Sequence, residues 1–164
     1  VRYLRAQVAA GVQVVQLFDS WVGDLGRREY EANVLPYSRR ILEAVRQTGV
    51  PTIHFGTGTA ALLEAMAAAG SDLVGVDWRV PLDEAWRRIG PGKGVQGNLD
   101  PAVLLAPFEV VVREADRVLE AAGVRYGHVF NLGHGVLPDT PPEHLTGLVQ
   151  HVHQATERIP VANR

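Results

Sequence analysis

A histidine flanked by two glycines follows an apolar segment near the carboxyl end of the chain, in the stretch FNLGHGVLPDTP at 130–141. A histidine that only filled a core would not need Gly133 and Gly135 on either side of His134. Glycine permits a sharp backbone turn and a close approach of other atoms. We therefore take His134 as the strongest candidate in this sequence for donating a hydrogen bond to a ligand.

Polar side chains also follow other predicted strands. Ser20 comes directly after the first strand, where it suits either a hydrogen bond to a ligand or a simple turn, and no G-x-S-x-G motif surrounds it as in a nucleophile elbow. Asp77 follows the third strand and Asp100 the fourth, so the two carboxylates are a candidate acid/base pair. However, Asp100 precedes Pro101 and a predicted helix, and a helix N-cap explains it at least as well.

A glycine-rich turn resembles a dinucleotide-binding motif. Gly56, Gly58 and Ala61 match G-x-G-x-x-A between a predicted strand and a predicted helix, and Asp77 ends the next strand at about the required distance. These glycines would let a pyrophosphate approach the helix N-terminus. Short turns of this kind also precede helices that bind nothing, so a nicotinamide oxidoreductase is one alternative among several.

The sequence predicts no metal site. There are no cysteines, which excludes disulfides, thiolate zinc sites, iron–sulfur clusters and cysteine nucleophiles. His151 and His153 are two residues apart on a predicted helix and so point to nearly opposite faces. His54 lies near a strand end, but the cysteine that would complete a zinc ligand pair is missing.

Composition narrows the class of protein. A chain of 164 residues with 46% hydrophobic and 21% charged residues suits one folded domain. A net charge of −2 gives no basic field for a nucleic-acid partner. No apolar run reaches the roughly 20 residues of a membrane span and no signal peptide is recognisable, so we expect a cytoplasmic protein with no membrane partner. Because the chain begins at Val1 inside a predicted helix, we also expect a fragment.

The elements that must position these side chains alternate along the chain. Five apolar β-segments are predicted at 12–18, 50–55, 73–78, 94–99 and 127–132. The helices that follow them are predicted at 28–49, with a break or kink at Pro36, and at 59–70, 81–90, 101–123 and 141–159. Alternation implies parallel strands with helical crossovers, in an open doubly wound sheet or in part of a (β/α)8 barrel. In both architectures ligands bind at the carboxyl ends of the strands.

Four segments, taken together, resemble the uroporphyrinogen decarboxylase family. They are QLFDSWVGDLG at 16–26, GVDW at 75–78, QGNLDP at 96–101 and FNLGHGVLPDTPPEHL at 130–145. The resemblance runs in order and with unbroken spacing from Val1 to Ile159. It implies an α/β fold, a (β/α)8 TIM barrel, of which residues 1–164 supply roughly the last five strand–helix units as the C-terminal portion of a single domain.

The resemblance also implies a function. Members of this family convert uroporphyrinogen III to coproporphyrinogen III and four CO2 in haem biosynthesis, as homodimers that use neither metal nor organic cofactor. Ser20 in FDSW and His134 in NLGHG match the family's substrate-binding serine and histidine. The family's catalytic aspartate, arginine-rich segment and substrate-binding tyrosine are expected in an absent N-terminal part. No catalytic residue is therefore assigned to this chain, and neither Asp77 nor Tyr126 replaces the missing ones.

Alternatives to this interpretation remain. By the resemblance, Gly56 and Gly58 belong to a barrel loop, which weakens the nicotinamide hypothesis. A sister group of cobalamin-dependent methyltransferases shares the fold but uses zinc held by histidine and cysteine, and the absence of cysteine argues against it. A binding module that uses the barrel rim without chemistry stays open.

Overall fold

Five parallel strands form one sheet in the computed structural model of the chain, which describes residues 1–157. The strands are β1 (Val15–Phe18), β2 (Thr52–Phe55), β3 (Leu73–Gly75), β4 (Gly94–Gln96) and β5 (His128–Val129). Their spatial order is β1-β2-β3-β4-β5, the same as their order in the sequence. A doubly wound sheet reverses direction at a switch point, whereas a (β/α)8 barrel proceeds strand by strand. The strand order is therefore that of a (β/α)8 barrel and not that of a doubly wound sheet.

Helices connect the strands. They are α1 (Arg2–Ala9), α2 (Arg27–Asn33), α3 (Leu35–Arg46), α4 (Leu63–Ala67), α5 (Leu82–Ile89), α6 (Phe108–Ala122) and α7 (Pro142–Thr156). Short 3-10 helices lie at Val22–Asp24, Thr59–Ala61 and Pro101–Leu105. Within residues 1–157, none of the helices combines the length and the apolar character that crossing a bilayer requires. The last two residues of the helix predicted at 141–159 lie outside the described part of the chain.

Prolines divide two of the predicted helices. The segment 28–49 separates into α2 and α3 at Val34, and Pro36 occupies the first turn of α3, where a missing N–H costs no helical hydrogen bond. The segment 101–123 separates into a 3-10 helix and α6, with Pro107 at the N-cap of α6. The helix predicted at 59–70 is also shorter, since only Leu63–Ala67 is α-helical.

The sheet curls so strongly that side chains meet across its inner face. Gln96 Nε2 of β4 donates to Gln16 Oε1 of β1 over 3.2 Å. Three strand spacings of about 4.8 Å separate these strands, which is more than two glutamine side chains can bridge across a flat sheet. The face that carries Gln16 and Gln96 is therefore concave, as the interior of a barrel must be.

The convex face is packed against the helices. Val74 and Val95 are fully buried there in one cluster with Leu63 and Met66 of α4. A second apolar cluster lies between α6, α7 and the 3-10 helix at Pro101–Leu105. The concave face is more open, because Phe18 is 62% exposed and Val129 is 42% exposed. Within residues 1–157, β1 and β5 each pair with a single neighbouring strand.

Candidate functional site

The carboxyl ends of the strands, here called the rim, bring an aromatic surface and His134 together. Phe18 and Phe55 are register partners at the ends of β1 and β2, and their rings meet edge-on with centroids 5.8 Å apart. The imidazole of His134, which is exposed, lies 6.5 Å from the ring of Phe55. The position predicted for a ligand-binding histidine thus faces the concave side, next to apolar rings and open to an incoming molecule.

The two glycines around His134 have different reasons to be glycine. A Cβ on Gly133 would lie 2.6 Å from the backbone N of Trp78, so the β5 loop packs against the β3 loop with no room for a side chain. A Cβ on Gly135 would meet nothing within 4 Å. The chain bends at Gly133 and His134, but neither glycine has a positive φ, so the bend does not itself require glycine. Gly133 serves packing within the chain, and only Gly135 borders open space.

Ser20 lies at the same rim, half-buried in the turn after β1. Its carbonyl oxygen accepts a 2.5 Å hydrogen bond from Thr57 Oγ1, in the loop after β2. The two loops touch closely, because a Cβ on Gly56 would lie 2.8 Å from the carbonyl oxygen of Asp19. The hydrogen bond that fixes the turn uses the carbonyl of Ser20 and leaves its hydroxyl for another partner.

A buried polar cluster behind Ser20 was not assigned from the sequence. His54 Nε2 lies 2.6 Å from Asp19 Oδ2, and Ser38 Oγ donates to the same oxygen over 2.7 Å. Burial raises the pKa of Asp19, but the hydrogen bonds with His54 and Ser38 outweigh burial and hold that pKa below its ordinary value. One feature could have indicated this cluster. His54 stands on the helix-facing side of an apolar strand, and an imidazole buried there requires a polar partner.

Asp77 holds the glycine-rich loop in place. Its Oδ2 accepts the backbone N–H of Gly58 over 2.6 Å and also binds Arg79 Nη1 over 2.6 Å, and the carboxylate is 2% exposed. The amide that would face a pyrophosphate in the dinucleotide hypothesis is thus already occupied. The helix that follows, α4, is only 5 residues long. This geometry does not favour the nicotinamide alternative, and it removes Asp77 from the candidate acid/base pair.

Asp100 is a helix cap, as the local sequence predicted. Its Oδ1 accepts the backbone N–H of Ala102 over 2.9 Å at the start of the 3-10 helix Pro101–Leu105. An N-cap of this kind satisfies one of the backbone donors that a helix start leaves unpaired. Both carboxylates of the candidate acid/base pair therefore have structural partners.

Three of the remaining histidines in residues 1–157, His128, His144 and His151, have side-chain partners within the chain. His128 Nε2 lies 2.8 Å from the carbonyl oxygen of Gly97, and burial lowers the pKa of His128. His151 on α7 contacts Asp116 Oδ1 on α6 over 2.6 Å, away from the rim. Over residues 1–157, no group of three or more histidine and acidic side chains is arranged to hold a metal ion.

A groove of about 1040 Å³ lies between β5, α6 and α7 and reaches His134 at one end. Its lining is largely apolar and includes Leu119, Phe130, Leu148 and Val152. The groove adjoins the edge of β5 that pairs with no strand in the described chain. Packing against further structure suits this surface better than recognition of a polar ligand does.

Comparison with known proteins gives one consistent family. The model of the family described as uroporphyrinogen decarboxylase (URO-D) matches residues 1–155. The uroporphyrinogen decarboxylase of Streptomyces coelicolor is 60% identical over 156 residues, and that of Sorangium cellulosum is 57% identical over 152 residues. These alignments cover 95% and 93% of this chain but 44% of each relative, so the chain spans under half of their length.

A solved structure gives the same architecture. A methyltransferase from Methanosarcina mazei superposes with a TM-score of 0.82 at 23% sequence identity. The superposition covers 94% of this chain and 46% of that protein. At this identity the likeness concerns the fold alone, and it agrees with the strand order and the curvature of the sheet.

Proposed function

The chain belongs to the uroporphyrinogen decarboxylase family, and we propose that the protein converts uroporphyrinogen III to coproporphyrinogen III with release of four CO2. Apart from the family match, the proposal is supported by the kinds of side chain that meet at the rim. An exposed His134 stands beside the rings of Phe55 and Phe18, with Ser20 at the same end of the sheet. Apolar rings with hydrogen-bond donors at their margin suit a bulky macrocycle that carries carboxylates around its periphery.

We propose that residues 1–164 are the C-terminal portion of a single (β/α)8 barrel. Three observations support this: the strands follow one another in sequence order, the sheet curls, and the relatives are more than twice as long as the matched segment. Closing the barrel would pair the free edges of β1 and β5, which otherwise offer unsatisfied backbone groups. It would also cover the apolar groove between β5, α6 and α7.

The substrate itself supplies the electron sink for the proposed reaction. Loss of CO2 from an acetate side chain would leave a carbanion, unless the pyrrole ring is first protonated at the carbon next to the one that bears the acetate. That protonation creates an iminium-like ring, which takes the electron pair of the breaking carbon–carbon bond as CO2 leaves. Protonation of the resulting exocyclic methylene gives a methyl group, and loss of the ring proton restores the pyrrole. Each cycle thus consumes one proton and needs no external oxidant or reductant.

Ser20 and His134 then have positioning roles in substrate binding. His134 is placed to donate to a substrate carboxylate, and the bond is charge-assisted when the imidazole is protonated. Ser20 would add a hydrogen bond from a neutral hydroxyl. The proton donor and the negative charge near the pyrrole N–H groups are not assigned to this chain, because Asp77 and Asp100 are held by partners of their own. By the family resemblance, we expect the catalytic aspartate in the remainder of the barrel.

Three further properties complete the proposal. We propose that the protein acts as a homodimer in the cytoplasm, and that catalysis requires neither a metal nor an organic cofactor. The last point rests on the chemistry above, in which the protonated pyrrole accepts the electrons that a cofactor would otherwise take.

The test uses the protein with its complete barrel. Purified protein would be incubated anaerobically with uroporphyrinogen III after exhaustive chelation, and the products would be oxidised to porphyrins and separated by chromatography. We expect coproporphyrin to accumulate through intermediates with seven, six and five carboxyl groups. Binding of substrate without product would favour the binding module, and activity restored only by an added metal would refute catalysis without a cofactor. NADH titration by fluorescence, expected to show no binding, tests the nicotinamide alternative separately.

A further inference from the structure

A buried acid, imidazole and hydroxyl lie directly behind Ser20, in the layer between the sheet and the helices. His54 is 0% exposed, Ser38 is 3% exposed, and the Asp19 side chain that both contact is 17% exposed. The three come from different elements: Asp19 follows β1, His54 is in β2 and Ser38 is in α3. This cluster is on the convex side of the sheet, so none of its members is placed to touch a ligand on the concave side.

Both ring nitrogens of His54 face acceptors. Nε2 lies 2.6 Å from the Asp19 carboxylate, and Nδ1 lies 3.4 Å from the carbonyl oxygen of Met66. Ser38 Oγ also donates to Asp19 Oδ2, so this one oxygen has short contacts with a residue of β2 and a residue of α3. The side chain of Asp19 is therefore fixed in position rather than free to follow the surface.

The backbone around Ser20 is fixed from the same side. The amide of Asp19 donates to the carbonyl of Phe55 over 2.7 Å, and the Asp19 carbonyl accepts from Val22 N over 3.2 Å. The carbonyl of Ser20 itself accepts from Thr57 Oγ1. Residues of β2 and of the loop after it therefore hold both the residue before Ser20 and Ser20 itself.

Stability alone is a weak reason for such a cluster. Replacing a buried ion pair by apolar groups of similar volume is often neutral or stabilising, because burying charge carries a desolvation cost. A fixed geometry, by contrast, requires directional contacts, and a binding site needs its donors held to within about 0.5 Å.

We propose that His54 and Ser38 are positioning residues for substrate binding. They hold Asp19 and thereby orient the adjacent Ser20 toward a carboxylate of the substrate. The proposal rests on the proposed function, because the effect is read out through binding of the substrate. It predicts that replacing His54 weakens substrate binding only while Ser20 keeps its hydroxyl, because His54 acts through the orientation of that hydroxyl.

The experiment is a double-mutant cycle in the complete protein, with KM and kcat for uroporphyrinogen as readouts. His54→Leu, which removes both ring contacts, is expected to raise KM by at most the effect of Ser20→Ala, about 2- to 12-fold, with kcat within about twofold of wild type. His54→Gln keeps a donor near the Nε2 position and should restore most of the KM. In the Ser20→Ala background, His54→Leu should add no further rise in KM.

Two further variants make the cycle decisive. His151→Leu removes a histidine–aspartate contact of the same 2.6 Å length between α6 and α7, and should leave KM unchanged. If His54→Leu does not fold, Ser38→Ala replaces it in the cycle, with a smaller rise in KM that again vanishes in the Ser20→Ala background.

Three outcomes would overturn the proposal: an unchanged KM in the His54 and Ser38 variants, a fall in kcat alone, or effects that add fully to that of Ser20→Ala. An inactive wild-type protein would instead refute the proposed function, and this inference with it. The two failures are thus distinguished by the wild-type reaction itself.

Discussion

The two substrate-binding candidates occupy opposite kinds of surroundings at one rim. The turn that carries Ser20 is held by a buried network of Asp19, His54 and Ser38 and by a hydrogen bond to its own carbonyl. The loop that carries His134 is exposed. It is held by packing of Gly133 against the backbone of Trp78 and by a backbone hydrogen bond from Gly133 N to the carbonyl oxygen of Leu99 over 2.7 Å. One half of the rim is therefore fixed by buried polar side chains, whereas the other is held through its backbone and presents its side chain directly to the open concave side.

The largest effect is expected at the exposed side. His134→Asn in the complete protein should lower kcat/KM by about 10- to 150-fold, since a charge-assisted hydrogen bond contributes roughly 1.5–3 kcal/mol. Thermal unfolding should change little, because the side chain is exposed. His151→Asn, on α7 and away from the rim, is the matched control for kinetics and should keep the wild-type kcat/KM. Wild-type kinetics in the His134 variant would remove His134 from the site.

Steric fit at the same loop is tested by its two glycines. Gly133→Ala should destabilise the protein by about 1–3 kcal/mol, because the added methyl group meets the backbone of Trp78. Gly135→Ala, with open space around it, should stay within about 0.5 kcal/mol of wild type. Chemical denaturation of both variants measures the difference. Equal stabilities would show that packing of Gly133 does not hold this loop.

A smaller effect is expected at the buried side. Ser20→Ala should lower kcat/KM by about 2- to 12-fold, which corresponds to the roughly 0.5–1.5 kcal/mol of a hydrogen bond between neutral groups. The turn should keep its shape, because its hydrogen bond to Thr57 uses the Ser20 carbonyl. An effect larger than that of His134→Asn would reverse the ranking of the two sides.

The smallest effect concerns pH. The folded pKa of Asp19 lies below its unfolded value of about 3.9, so this carboxylate contributes stability above about pH 4 that is lost as pH falls through the folded pKa. The difference in the free energy of unfolding between wild type and Asp19→Asn should therefore narrow on acidification. Urea denaturation at several pH values between 7 and 3 measures it, and a constant difference would contradict the ionic role of Asp19.

The same contrast explains what the sequence could and could not predict. The five strands, the break near Pro36 and the cap at Asp100 all depend on residues close in sequence, and all were predicted. The contact of Asp19 with His54 depends on two neighbouring strand ends, and its link to Ser38 on where α3 packs. Likewise, the packing role of Gly133 depends on the loop after β3, which approaches it only in the folded chain. Such non-local contacts leave no periodic or local signal in the chain.

The most direct test of the proposed site is a crystal structure of the complete protein with coproporphyrinogen bound under anaerobic conditions. We predict that a ring nitrogen of His134 and Oγ of Ser20 each lie within about 3.2 Å of a carboxylate oxygen of the product. The macrocycle should lie on the concave side of the sheet, against the rings of Phe18 and Phe55. Product bound on that side with both side chains out of hydrogen-bonding range, or bound elsewhere on the protein, would contradict the assignment of this rim as the substrate site.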